Sequence, residues 1–82
     1  MAQTHTIEIT KREYPKTTVA TGDTVTWVNK MNMPHTVTAD DGGFDSGPFG
    51  KDKSFSQKFD TAGEFPYHCE IHGEMQGKVI VS

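Results

Sequence analysis

The chain has 82 residues and a single cysteine, so it is long enough for one small domain and has no internal disulfide to stabilise it. Its formal net charge is −3, and no run of like charges is longer than a pair, which argues against nucleic acid or an anionic membrane as partner. No apolar stretch approaches the roughly 20 residues of a transmembrane helix, and no signal peptide is visible. A mature exported domain and a cytosolic protein both remain open at this point.

Apolar and polar residues alternate along the chain, with Gly, Pro, Asn and Asp at short intervals, and this pattern is typical of many short strands. The alternation is clearest over residues 24–29, where Val25 and Trp27 share one face and Trp27 is expected to anchor the core. A long irregular connection is expected over residues 40–50. The expected strands, in chain order, are residues 4–9, 17–20, 24–29, 36–39, 53–59, 64–69 and 77–82. Residues 1–82 are therefore predicted to form one all-β domain, a seven- to eight-stranded, antiparallel Greek-key β-sandwich.

A cluster of soft metal-binding side chains follows the strand expected at residues 64–69. Cys69, His72 and Met75 recur at every third position on one short loop. A thiolate, an imidazole and a thioether suit copper better than magnesium, calcium or a structural zinc ion. A blue-copper site has two histidines, a cysteine and a weak axial methionine, so a second histidine is needed. His35, directly after Pro34 at the head of the strand expected at residues 36–39, is the candidate.

Each of these four residues also has an ordinary explanation. A lone buried cysteine is usually a small core residue, a loop histidine is usually solvated, and a methionine usually fills space. Only the combination is specific. His68 points away from Cys69 by strand parity and is expected on the surface, and neither His68 nor His5 is assigned a role. Met31 and Met33 flank His35 and suit either an apolar patch around the site or ordinary loop packing.

These motifs resemble the cupredoxins, the small type 1 (blue) copper proteins, and within them the amicyanin- and plastocyanin-like group. The likeness covers nearly the whole chain. It is carried, in the family's order, by residues 22–29 (GDTVTWVN), 33–37 (MPHTV), 44–47 (FDSG) and 59–69 (FDTAGEFPYHC), and by the C-x2-H-x2-M loop.

The resemblance implies a cupredoxin-like sandwich that binds one copper ion, Cu(I) or Cu(II). It implies that the ligands are His35, Cys69, His72 and Met75. It also implies a one-electron carrier rather than an enzyme, acting as a monomer with a transient redox partner such as a c-type cytochrome or a redox enzyme. The native compartment would be the periplasm or another extracytoplasmic space.

Two departures from the family pattern give further expectations. Thr36 stands where the family often has an asparagine that ties the two ligand segments together. Its hydroxyl is expected to make a weaker tie, and its backbone N–H is expected to donate to the Cys69 sulfur. Gly73 and Glu74 stand where amicyanin-like proteins carry proline and an aromatic residue, so a more flexible loop is expected.

One other function fits the same residues equally well, and three fit them less well. A copper-binding or carrier module, or one domain of a larger copper protein, would use the same four side chains and stays open as the alternative. A multicopper oxidase domain would need more histidines beside Cys69, where Glu70 follows. A Cys–His nucleophile would need a substrate cleft, and attached haem would need a second cysteine.

Overall fold

The structure, a computed structural model that describes residues 2–82, consists of seven strands without a helix. The strands are β1 (Thr4–Ile9), β2 (Lys16–Val19), β3 (Thr24–Asn29), β4 (Thr38–Ala39), β5 (Ser54–Lys58), β6 (Gly63–His68) and β7 (Gln76–Val81). One sheet has the order β1-β3-β5 and the other the order β2-β7-β6-β4. The predicted all-β sandwich is confirmed. Across residues 2–82 the structure contains no helix long and apolar enough to cross a membrane.

The core lies between the two sheets and is built from the alternate residues of their strands. In β3, Val25, Trp27 and Asn29 are buried while the residues between them are only half-buried. The Trp27 ring packs edge-on against Tyr67 of β6, with 5.2 Å between ring centroids. The Trp27 indole N–H also donates to the Tyr67 hydroxyl at 3.1 Å. Trp27 therefore anchors the core, as predicted, and links the two sheets.

Two strand pairings are parallel, so the antiparallel arrangement expected from the sequence is wrong for them. β1 pairs with β3 in parallel, and β2 pairs with β7 in parallel. Parallel neighbours cannot be joined by a hairpin and need a crossover. Here the chain leaves β1, forms β2 in the opposite sheet and returns to β3. Alternation within a strand carries no information about such a crossover.

The strand expected at residues 36–39 is shorter than predicted, because β4 contains only Thr38–Ala39. The residues before it bond to the connection between β4 and β5 instead of to a sheet. His35 forms an isolated bridge with Phe49, and the Val37 N–H donates to the Ser46 hydroxyl at 2.8 Å. His35 is therefore held by a loop on one side and by the end of β6 on the other.

Candidate metal centre

The connection between β6 and β7, residues 69–75, is folded back on itself at one end of the sandwich. The Cys69 N–H donates to the Met75 carbonyl at 3.0 Å, and the Met75 N–H donates to the His72 carbonyl at 2.9 Å. The side chains of Cys69 and Met75 are completely buried, whereas His72 is half-buried. The short loop thus places a thiol and a thioether inside the protein and an imidazole at its boundary.

The Cys69 sulfur accepts two backbone hydrogen bonds. One comes from the Thr36 N–H and the other from the His72 N–H, each at 3.4 Å. Both donors point at the same sulfur, so the segment after His35 and the loop of His72 meet at Cys69. The donation from Thr36, expected from the sequence, is confirmed.

His35 is buried beside this sulfur and faces it with one ring nitrogen. The distance from His35 Nδ1 to Cys69 Sγ is 3.9 Å, and His35 Nε2 lies 3.3 Å from Met31 Sδ. First-row metal bonds of about 2.0 Å to nitrogen and about 2.3 Å to sulfur, at a trigonal angle, place the two donor atoms about 3.7 Å apart. The observed separation therefore fits two ligands of one metal ion.

The electrostatic surroundings keep His35 neutral. Burial lowers the pKa of His35, and the nearby His72 and the positive charge of Arg12 lower it further. A neutral imidazole is the form that ligates metals. His35 is therefore in its metal-binding protonation state under ordinary conditions.

His72 completes the group with a ring nitrogen that has no partner. Its ring centroid lies 5.2 Å from that of His35, with 54° between the ring planes. Within residues 2–82, His72 Nε2 is the one buried side-chain nitrogen or oxygen that makes no hydrogen bond. An unsatisfied buried polar atom costs about 1–3 kcal/mol. A metal ion bound at this nitrogen would remove that cost, and a second imidazole near a buried thiol suits a soft metal ion.

The structure brings His35, Cys69 and His72 close together, and Met75 is bonded to Cys69 through its backbone carbonyl. No three His, Cys, Asp or Glu side chains of the described residues are arranged closely enough to hold a metal ion as they stand. His35 and Cys69 already have the required spacing and are fully buried. His72 differs from these two residues, because its side chain is only half-buried and lies on a loop.

Thr36 ties the two segments of the site together. Its hydroxyl oxygen accepts the Glu70 N–H at 2.8 Å, while its own N–H donates to the Cys69 sulfur. Thr36 is therefore bonded to both Cys69 and Glu70. The tie through the Thr36 hydroxyl, expected from the sequence, is confirmed.

Two further contacts lie near the site. His68 lies on the opposite face from Cys69, as predicted, but it is bracketed by Asp40 at 2.6 Å and Glu70 at 3.4 Å. The hydrogen bond to Asp40 raises the pKa of His68. Met31 contacts the ring of His35 directly. The contact between His68 and Asp40 does not follow from local pattern, because it joins side chains 28 positions apart. The contact of Met31 with His35, four positions apart, agrees with the apolar patch around the site that the sequence left open as one of two explanations.

The chain is similar in sequence to known copper-binding proteins. The profile of the family described as copper binding proteins, plastocyanin/azurin family, matches residues 3–82. Amicyanin from Paracoccus denitrificans is 40% identical over 87 residues, which cover 92% of this chain and 63% of that protein. Chloroplastic plastocyanin from Tetradesmus obliquus is 39% identical over 77 residues, which cover 78% of this chain and 53% of that protein. The chain thus spans between 53% and 63% of the length of these two relatives.

Solved structures of amicyanin mutants have the same fold. One in the Cu(I) state superposes with a TM-score of 0.84 at 34% identity, covering 95% of this chain and 81% of that chain. An oxidized mutant also gives a TM-score of 0.84, at 32% identity, with the same coverage of 95% and 81%. The cupredoxin-like sandwich expected from the sequence is therefore confirmed.

Proposed function

The chain belongs to the copper-binding plastocyanin/azurin family, and on that premise we propose that His35, Cys69, His72 and Met75 hold one copper ion in a type 1 centre. The observation that carries the proposal is the spacing of 3.9 Å between His35 Nδ1 and Cys69 Sγ, next to the unpartnered nitrogen of His72. Two histidines and a cysteine with a methionine nearby are the ligands of blue-copper sites. Met75, completely buried, would supply the fourth and weakest ligand.

The activity that follows is one-electron transfer between redox partners. When bound, copper accepts one electron as Cu(II) and releases it as Cu(I). The protein's part is to keep the ligands in one geometry for both states. Thr36 bonds the segment of His35 to the segment of Cys69, which limits rearrangement when the charge changes. The proposed role is therefore that of an electron carrier rather than an enzyme, in keeping with the family to which the chain belongs.

The partner is proposed to dock over the half-buried His72. Ile71, beside it, is 44% exposed and is the one large apolar side chain of the described residues that is exposed. Brief docking of a c-type cytochrome or a redox enzyme on so small an apolar surface is typical of transient electron-transfer complexes. We propose that the chain acts as a monomer, and that the native protein works in the periplasm or another extracytoplasmic space.

A copper-delivery module would use the same ligands but would need an accessible site. Cys69 and Met75 have no exposed surface, which favours retention of the metal over exchange with a partner. The proposed electron carrier should therefore keep its copper through repeated cycles of reduction and oxidation. Loss of copper to a mild chelator within a few cycles would favour the delivery module instead.

The experiment that tests the centre is an optical and EPR spectrum of the chain loaded with Cu(II). An intense blue thiolate-to-copper band is expected, and Cys69→Ala should abolish it. His68→Ala is the matched control, because it removes a neighbouring histidine outside the proposed set, and it should leave the colour intact. A colourless copper-bound chain, or colour retained in Cys69→Ala, would contradict the proposal.

A further inference from the structure

A row of hydrogen bonds leads from the proposed metal centre to a carboxylate at the surface. The Glu70 N–H donates to Thr36 Oγ1 at 2.8 Å, and Thr36 Oγ1 lies 3.0 Å from Thr38 Oγ1. Thr38 Oγ1 in turn donates to Asp45 Oδ1 at 3.0 Å. Both threonines are buried, and Asp45 is exposed. We call these four residues, Glu70, Thr36, Thr38 and Asp45, the hydroxyl relay.

The direction of every bond in the hydroxyl relay is determined by its two ends. A backbone N–H only donates and a carboxylate only accepts, while each hydroxyl has a single proton to give. The Thr38 proton goes to Asp45, so Thr38 accepts the proton of Thr36. Thr36 then has only lone pairs left for the Glu70 N–H. Aligned hydrogen bonds of this kind polarise and strengthen one another.

The carboxylate end of the relay is held in place independently of the metal centre. Asp45 Oδ1 also accepts the Gly47 N–H at 3.0 Å, which closes a turn. The backbone of this turn is bonded to the segment before β4 through the Ser46 N–H and the Val37 carbonyl, at 3.0 Å. Asp45 is thus a fixed acceptor, and its position does not depend on the relay.

The other end of the relay acts on the proposed ligands. Thr36 follows His35 and donates its N–H to the Cys69 sulfur, and Glu70 follows Cys69. A change in the Thr36 hydroxyl therefore alters the alignment of an N–H that points at the thiolate. Partners of this kind around a metal site orient its ligands and tune the metal.

We propose that Asp45 is a positioning residue for the metal centre, acting through the hydroxyls of Thr38 and Thr36 on the N–H donor to the Cys69 sulfur. This inference rests on the proposed function of that centre. Without Asp45, the buried hydroxyl proton of Thr38 has no acceptor, and the hydrogen bond from the Glu70 N–H to Thr36 weakens. The segments of His35 and Cys69 are then held together less firmly.

Amide hydrogen exchange in the metal-free chain tests the relay itself. Asp45→Ala should speed exchange of the Glu70 N–H about tenfold, the effect of losing one hydrogen bond of ordinary strength. In a Thr38→Val background, which already lacks the relay, Asp45→Ala should add almost nothing. Asp45→Asn keeps an acceptor oxygen and should restore slow exchange.

Asp41→Ala is the matched control for this experiment. Asp41 accepts the Gly43 N–H at 2.8 Å, the same turn bond that Asp45 makes to Gly47, and it has no threonine partner in the structure. Asp41→Ala should leave exchange of the Glu70 N–H unchanged. Equal effects of the two variants, or an Asp45→Ala effect that is undiminished by Thr38→Val, would overturn the inference.

Copper loading then tests whether the hydroxyl relay affects the Cys69 sulfur. With Cu(II), Asp45→Ala should move the thiolate-to-copper band to longer wavelength, because a weaker N–H bond leaves more electron density on the sulfur, and Asp41→Ala should not. A blue protein with an unshifted band would overturn the positioning role alone. A protein that shows the exchange coupling but never turns blue would overturn the proposed function and leave the relay standing.

Discussion

At the scale of single residues, Gly77 is the position where packing leaves the least room. A Cβ atom placed on Gly77 would lie 2.6 Å from the Tyr14 Cβ and 2.7 Å from the Tyr67 ring and hydroxyl. Gly77 lies near the start of β7, two residues after Met75, and both tyrosines pack over it. The glycine is required by this close approach and not by its backbone angles.

Gly77→Ala should destabilise the protein by about 1–3 kcal/mol, because an added methyl in a filled core forces neighbouring side chains out of place. Urea unfolding of the metal-free chain measures the change. Gly50→Ala is the control, since a Cβ there would meet nothing within 4 Å. If both substitutions cost the same, the close packing of Tyr14 and Tyr67 is not what selects glycine at position 77.

Asp23 is the most heavily bonded carboxylate among the described residues. It accepts hydrogen bonds from the Gln3 N–H at 2.9 Å and the Ala20 N–H at 3.0 Å, and it lies 2.8 Å from His5 Nε2. The bond to His5, followed by the two backbone donors, lowers the pKa of Asp23 to about 2. The ionised side chain thus joins the start of β1 to the turn before β3.

Ionised Asp23 stabilises the folded protein above the pKa of the unfolded chain, about 4, and this contribution is lost as pH falls through about 2. The difference in unfolding free energy between the native chain and Asp23→Asn should therefore shrink as pH falls from about 4 to about 2. Chemical denaturation at a series of pH values measures it. A constant difference for Asp23→Asn down to pH 2 would count against this account.

At the scale of strands and sheets, one polar contact crosses the core between β3 and β6. The Trp27 N–H reaches the Tyr67 hydroxyl, and both side chains are completely buried. Burial raises the pKa of Tyr67 to about 12, so the hydroxyl is neutral at all ordinary pH values. A buried tryptophan N–H needs such a partner, and in this core only the facing sheet supplies it.

Tyr67→Phe should therefore lower the unfolding free energy by about 1–3 kcal/mol, the cost of leaving the Trp27 N–H without an acceptor. Denaturant unfolding followed by the fluorescence of the single tryptophan measures this. Ser56→Ala is the control, because it removes the hydrogen bond of 2.8 Å to Thr26 on an exposed face. The loss of unfolding free energy in Ser56→Ala should be well below that in Tyr67→Phe. Equal losses would show that the contact between the sheets contributes no more to stability than an exposed hydrogen bond.

At the scale of the whole molecule, the features that could be predicted from the sequence are those that depend on the local alternation of apolar and polar residues. Alternation located β3 at Thr24–Asn29 with Trp27 inward, and strand parity put Cys69 inside and His68 outside. These features depend only on the period of an extended chain. The grouping of His35 with Cys69 was predicted from ligand chemistry and family resemblance.

The parts that could not be predicted depend on pairing between distant segments. The parallel pairs β1–β3 and β2–β7 arise from crossovers between sheets. The late start of β4 arises because His35 and Val37 bond to the loop after it. The hydrogen bond from Thr38 to Asp45 depends on the direction of a hydroxyl proton, and the periodicity of the sequence gives no indication of that direction.

A domain of this size with no disulfide should gain much of its stability from its metal, because a ligand that binds only the folded state adds to the free energy of unfolding. At a free Cu(I) concentration about 100 times the dissociation constant, the gain should be about 2.7 kcal/mol. For a domain of this length that is a rise in melting temperature of about 10–20 °C. Calorimetry of the copper-loaded and metal-free chains measures the difference, which should vanish in Cys69→Ala and persist in His68→Ala.

His35→Ala is the most informative variant in this comparison. Cys69, His72 and Met75 are close in sequence and can bind Cu(I) even in the unfolded chain, and such binding reduces the stabilisation. His35 lies 34 positions from Cys69 and joins the set only through folding. His35→Ala should therefore remove most of the copper-dependent rise in melting temperature while the loop still binds the metal. If the rise is unchanged in His35→Ala, the loop alone holds the copper and the two segments do not share it.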